Sequence, residues 1–135
     1  MQYWLLKSEP HVWSWQDQVK KDIEPWDGVR NYQARNNMRA MKKGDQAFFY
    51  HSNKGLEIVG IVEIVKEFYP DPADDSGKFG LVDIKTVRPL KHPVTLKEMK
   101  AHPALQDMAL IKQSRLSVCP VGKEEWNIIL DMSQT

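Results

Sequence analysis

The chain has 135 residues, 41% of them apolar and 27% charged, with a formal net charge of +1. Those values fit one globular domain, residues 1–135, that can build a core without metals or disulfides. Its one cysteine, Cys119, excludes an internal disulfide and a cysteine metal cluster.

In chain order, YWLLK at 3–7 has the look of a short buried strand ended by a Ser-Glu-Pro turn. Ser14, followed three residues later by Asp17, forms a capping-box pattern and predicts a helix to about Lys21. Pro25-Trp26-Asp27-Gly28 breaks the chain. Ala34, Met38 and Met41 at helical spacing predict a second helix over 31–41, stopped by Gly44. Residues 46–52 and 56–68 have strand composition, and Lys54-Gly55 between them is a hairpin signal. After the loop PDPADDSGKFG, alternation predicts a strand over 81–87. Thr95 with Glu98 opens a short helix, a further helical turn covers 104–111, and Leu116 to Val118 is strand-like. A last helix over 123–132 places Trp126, Ile129 and Leu130 on one side. Five or six strands mixed with short helices, without βαβ alternation, predict an α+β fold around a small barrel-like mixed sheet.

The near-neutral total hides segregated charge. From Arg30 to Lys54 six basic residues face Asp45 alone, a local +5; from Lys85 to Arg115 seven face two acids, again +5. Such patches suit an anionic partner on one face of the molecule, although solvated surface charge is the plainer reading. MQYWLLKSEP lacks the basic start and the long apolar run of a signal peptide, and no segment approaches the roughly 18 apolar residues of a membrane span. With Cys119 unpaired, the expectation is a reducing interior: the cytoplasm for a stand-alone bacterial-type domain, the nucleus in a eukaryote.

Catalytic signatures are few. His51-Ser52 makes a poor base and nucleophile pair, because neighbouring strand residues point to opposite faces. No phosphate-binding glycine loop, zinc-protease motif or nucleophile elbow is present, and His11, His51, His92 and His102 fall at no metal spacing. Cys119, between Val118 and Pro120, is expected to be a small buried hydrophobe. No catalytic residue, metal or cofactor is therefore assigned. Binding fares better. Unpaired bases are held by stacking on aromatic rings and read by hydrogen bonds at their edges. Trp4, Phe49 and Trp126 sit in strand or helix patterns and are assigned to the core. Trp26, in a polar turn, is assigned to a pocket; the opposing alternative is a loop tryptophan folded over the end of the barrel.

WDGVRNYQARN at 26–36 and FFYHSN at 48–53 are long, unusual strings. With YWLLKSEP, VGIVEIVKEFYPDP and LIKQSRLSVCPV in order, they make the chain resemble the EVE domain family over about Tyr3 to Leu130. The resemblance implies a PUA-like barrel related to YTH domains. It also implies a partner: nucleic acid, DNA or RNA, carrying a modified base such as 5-methylcytosine. By that likeness Lys7, Ser8 and Glu9 form the pocket mouth, Trp26 is the cage tryptophan, and Val29, Arg30 and Asn31 line its neighbourhood. His51, Ser52 and Asn53 occupy a strand end, while Leu116, Ser117 and Val118 close the site. Tyr32 or Tyr50 is the expected second wall, and Arg30, Arg35, Arg39 and Lys54 are the expected phosphate contacts. The chain is expected to act as a monomer without turnover, recruiting an effector protein at most. The alternatives are a PUA-type RNA binder blind to modification and a hydrolase of modified nucleotides, for which Glu9 or His51 would be the first suspect. Two departures from the family stand out: the loop after Pro72 is short, leaving Phe79 as its aromatic, and Cys119 replaces an expected Gln.

Overall fold

The computed structural model describes residues 1–134; residue 135, the last of the expected domain, lies outside the described residues. Six strands form one sheet: β1 (Tyr3–Ser8), β2 (Ile23–Pro25), β3 (Gln46–His51), β4 (Glu57–Pro70), β5 (Gly80–Thr95) and β6 (Val118–Val121). Helices α1 (Trp15–Lys21), α2 (Tyr32–Ala40), α3 (Leu96–Ala101), α4 (Ala109–Lys112) and α5 (Lys123–Met132) surround it, with a 3-10 turn at Pro103–Leu105. The strand order is β2-β5-β4-β3-β1-β6, with β1 and β3 parallel and the other pairs antiparallel.

Local chemistry places the helices where the sequence signals them. Ser14 and Asp17 exchange side-chain and backbone bonds at the start of α1, and Thr95 and Glu98 do the same for α3. Asn31 caps α2, its side-chain oxygen accepting the Ala34 N–H at 2.9 Å, and the helix buries Ala34 and Met38. The strands depart further from expectation. β5 runs to Thr95, well past Val87, because Pro89 falls opposite Gly60, at the end of a register irregularity that begins at Ile58, where a missing N–H is tolerated. β2 is an edge strand inside a segment that promises only a chain break. β6 begins at Val118 rather than Leu116, and its Pro120 is admitted because β6 is also an edge.

Consecutive residues of β3 serve opposite faces of the sheet. Phe48 stacks on Trp126 of α5 at 3.8 Å between ring centroids, and Trp126 stacks in turn on Tyr3 at 4.4 Å. Phe49 meets Trp15 edge-on at 5.4 Å and Trp26 at 5.7 Å. At the far end of β1, the buried Asp45 accepts the indole N–H of Trp4 at 3.1 Å and the Lys42 backbone N–H at 2.9 Å. Trp4, Phe49 and Trp126 are thus core residues, as expected.

β2 and β6 stay unpaired on their outer sides, so hydrogen bonds do not close the sheet. It curls nonetheless: residues at the end of β2 and residues beside β1 and β6 line the same cavity. The architecture is an α+β open barrel whose seam holds a hollow.

Trp15 reaches the sheet only because β4 has a glycine beneath it. A Cβ on Gly60 would lie 2.4 Å from the Trp15 ring. Gly60→Ala is therefore expected to destabilise the protein by about 1–3 kcal/mol through overpacking. Chemical denaturation should show a lower midpoint with an unchanged slope.

Candidate functional site

The hub of the site is the C-terminal end of β1. Parallel pairing brings the ends of β1 and β3 together, with Ser8 opposite His51. Past that pairing, the Ser52 N–H donates to the Ser8 carbonyl at 2.9 Å, and the Lys7 N–H donates to the Ser117 carbonyl at 3.0 Å. Two segments distant in sequence are zipped to two adjacent residues of β1.

The turn after β1 folds back on the strand. Val12 and Trp13 N–H groups both donate to the Glu9 carbonyl, at 2.9 and 3.0 Å, and the Ser8 hydroxyl donates to the Trp13 carbonyl. This returns Trp13 to the side of Ser8. Its indole N–H then donates at 3.0 Å to Gln18, a fully buried side chain whose amide donates to the Asp22 carbonyl at 2.9 Å. Gln18 so fixes the half-buried indole in one orientation.

A cavity of about 370 Å³ opens here. Lys7, Ser8, Glu9, Val12 and Trp13 border it on the β1 side, and Ser117 borders it beside β6. Glu24 and Pro25 of β2, then Trp26, Asp27 and Gly28, with Val29 and Arg30, form the opposite side. Trp26 is only 8% exposed: its ring meets Phe49 edge-on, and its backbone N–H donates to the Val82 carbonyl at 2.8 Å. It is both core and cavity wall, so the pocket assignment and the folded-over alternative each describe part of it. Gly28, at φ +76°, follows Asp27 in a conformation that side chains disfavour, and carries the chain from β2 toward α2.

Seven of the anticipated residues line this cavity: Lys7, Ser8, Glu9, Trp26, Val29, Arg30 and Ser117. Others do not. Tyr32 is 52% exposed and packs on Phe79, with its ring centroid 5.3 Å away, so it is no wall of the cavity. Tyr50 is buried and, with Ser52 and Asn53, borders a second cavity of about 510 Å³ that shares Lys7, Glu9 and Ser117 with the first. Asn31 spends its side-chain oxygen on capping α2. Leu116 and Val118 are buried core residues. Trp13, Glu24 and Asp27 line the cavity without having been anticipated. Only the placement of Trp13 just ahead of the helix-capping Ser14 hinted at the first.

Of the anticipated phosphate contacts, Arg35 and Arg39 lie on α2, Arg30 just before it and Lys54 elsewhere. Arg30 pairs with Asp71 at 3.3 Å and lies 5.5 Å from the Phe79 ring; Arg35 lies over Tyr32 at 4.9 Å. Arg39 lies over Phe68 at 5.3 Å, while Lys54 is exposed at the β3–β4 turn. The shortened loop is clipped by its own acids: Asp74 accepts N–H bonds from Ser76 and Phe79 at 3.1 and 2.8 Å, which tucks Phe79 against Tyr32.

The titratable groups are tuned mainly by burial. The half-buried Lys7 ammonium donates to the Ser114 carbonyl at 2.8 Å, and desolvation lowers its pKa, offset in part by Cys119. Burial lifts the Cys119 thiol to about 11, which keeps it a neutral hydrophobe. Desolvation also lowers His51, with Glu57 opposing, and its Nε2 accepts the Trp15 N–H at 3.0 Å, a role open only to the neutral ring.

A family model described as the EVE domain matches residues 2–132. Thymocyte nuclear protein 1 of Mus musculus is 42% identical, covering 98% of this chain and 74% of its own. A Rhodopseudomonas palustris protein solved by NMR is 60% identical, with a TM-score of 0.95 over 99% of this chain and 94% of that one. Human thymocyte nuclear protein 1, crystallised in complex with 5-methylcytosine-containing DNA, is 37% identical, with a TM-score of 0.87 over 100% and 99% of the two chains. A Zygosaccharomyces rouxii YTH domain, at 17% identity and a TM-score of 0.61, shares the fold. Among the described residues, no helix is long and apolar enough to cross a membrane.

The His51 arrangement fixes a sign. A ring held neutral in the fold, with its pKa below the usual 6.5 or so, stabilises the protein above that value and loses the contribution as pH falls through the lowered one. NMR titration of the imidazole should find a midpoint below 6.5, and unfolding stability should decline across the same interval.

Proposed function

We propose that this chain, which belongs to the EVE domain family, reads a modified base in nucleic acid, holding it in the seam cavity between Trp13 and Trp26 without turning it over. One observation carries the reading: two tryptophans and three carboxylates meet in a hollow of nucleobase-compatible size at the seam of the barrel. The human relative solved with 5-methylcytosine-containing DNA supports it from outside.

The chemistry of the wall favours a base. Glu9, Glu24 and Asp27 contribute acceptors only, and an exocyclic amine such as the N4 group of cytosine is the donor that carboxylates select. Stacking contributes roughly 1–3 kcal/mol per base, and swinging a base out of a duplex costs a few kcal/mol. Stacking alone therefore cannot sustain selective binding, and edge contacts from these acids, Ser8 and Ser117 must supply the rest. The apolar surfaces of Val29, Pro25 and the indoles suit a methyl group. Filling such a niche gives about 1–3 kcal/mol, or roughly 10- to 200-fold discrimination. Arg30, Arg35, Arg39 and Lys54 lie outside the base site or at its rim, where they can hold phosphates.

Matched oligonucleotides with and without a 5-methyl group on one cytosine, titrated by fluorescence anisotropy, should differ in affinity within that range. Equal affinities would leave a modification-blind binder, and release of product from labelled oligonucleotide would establish a hydrolase instead.

The two tryptophans call for different substitutions. Trp26→Ala would empty a buried site at a cost of about 3–5 kcal/mol, so Trp26→Phe and Trp13→Ala are the useful pair. Each should cut the methyl preference at least about fivefold while leaving the salt dependence of binding unchanged, with thermal unfolding confirming the fold. Full preference in both variants would end the assignment of these walls.

A further inference from the structure

The second cavity differs from the first in charge. The first is bordered by Lys7 and Arg30 against Glu9, Glu24 and Asp27, two minus three, or −1. Pairing does not change that sign, since Arg30 is tied to Asp71 and Glu24 to Lys21. The second is bordered by Lys7 and Arg115 against Glu9 alone, two minus one, or +1. Arg115 is exposed and makes no hydrogen bond or ion pair among the described residues, so its five donors stand available. Ser52, Asn53 and Ser114 add small polar groups at the same wall, and the buried Tyr50 gives it an aromatic floor.

The two hollows meet at Lys7, Glu9 and Ser117. An acidic hollow suits a neutral base bearing an amine, while the basic one beside it suits an anion. Successive nucleotides are joined by a phosphodiester, and a base seated in the first cavity has its own backbone within reach of the shared wall. We infer that the second cavity binds the nucleotide flanking the read base, its phosphodiester held by Lys7 and Arg115 and its base or sugar resting over Tyr50 among Ser52 and Asn53. This rests on the base reading of the first cavity. It makes the recognised unit a dinucleotide rather than a single base. Desolvation disfavours the half-buried Lys7 ammonium, and an anion beside it offsets that cost.

The test uses single-stranded hexamers with one central cytosine, methylated or not. In addition, each phosphate is replaced in turn by an uncharged methylphosphonate. Wild type, Arg115→Gln and Arg115→Lys are titrated at several salt concentrations, with thermal unfolding checking the fold. Arg115→Gln should weaken methylated and unmethylated strands alike, by about 5- to 10-fold, and reduce the salt slope by about 0.7. Arg115→Lys should restore most of the slope. A methylphosphonate adjoining the central cytosine should weaken wild type by a similar factor and leave Arg115→Gln unaffected. Unchanged affinity and slope in Arg115→Gln would overturn the inference, and so would coupling to a remote linkage. Loss of the methyl preference in wild type, with the Arg115 coupling intact, would instead sink the base reading and leave an anion site standing.

Discussion

The site depends on the backbone at the end of β1, where Lys7 and Ser8 bind a neighbour on either side. A parallel strand on one flank and the entry to an antiparallel strand on the other allow segments 7–9, 51–53 and 116–118 to share one end of the barrel. Parallel pairing is the uncommon element of this sheet, and it makes two strand ends coincide rather than alternate. The side chains of the site vary in role, but the framework that gathers them consists of main-chain bonds.

A second constraint lies behind that framework. Phe49 stands between Trp15 and Trp26, and Trp15 in turn occupies the space a side chain at position 60 would fill. The cavity wall is therefore an extension of the core and not a loop laid over it. Aromatic edge-to-face contacts fix ring orientation as well as position, which a reading surface requires before a ligand arrives. On the opposite side of the seam, Trp13 is held by a different device, a hydrogen bond to a buried amide. One wall is set by packing and the other by polar chemistry.

Much of the fold was legible in the sequence, for local reasons. Ser14 with Asp17, Asn31 and Thr95 with Glu98 are capping signals satisfied within a few residues, and the helices they open lie where expected. The strands were legible where alternation or β-branched runs persisted, as in β3 and β4. They were missed at β2 and in the latter half of β5, where proline suggests a break and only a register irregularity or an edge position makes it tolerable. The family strings gathered the right segments of the site but could not divide them between two hollows. That division depends on which way the turns at 9–13 and 52–56 fold, and the local Ser8–Trp13 bond and the long-range Ser52–Ser8 bond decide it. Tyr32 misled for a related reason: Val29 and Arg30, shortly before it, border the cavity, but the helix starting at Tyr32 carries its ring to Phe79.

The unbonded seam has a consequence for kinetics. The strand forming one lip, β2, is three residues long and ladders only to β5, whereas β1 at the opposite lip is bonded to β3 on one flank and to β6 on the other. An opening that lifts β2 breaks one short ladder, to β5, while the remaining strand pairs stay in register. Residence time can be tuned by substitutions around Ile23 and Glu24 with little penalty to global unfolding, leaving dissociation rate and thermal resilience free to evolve separately.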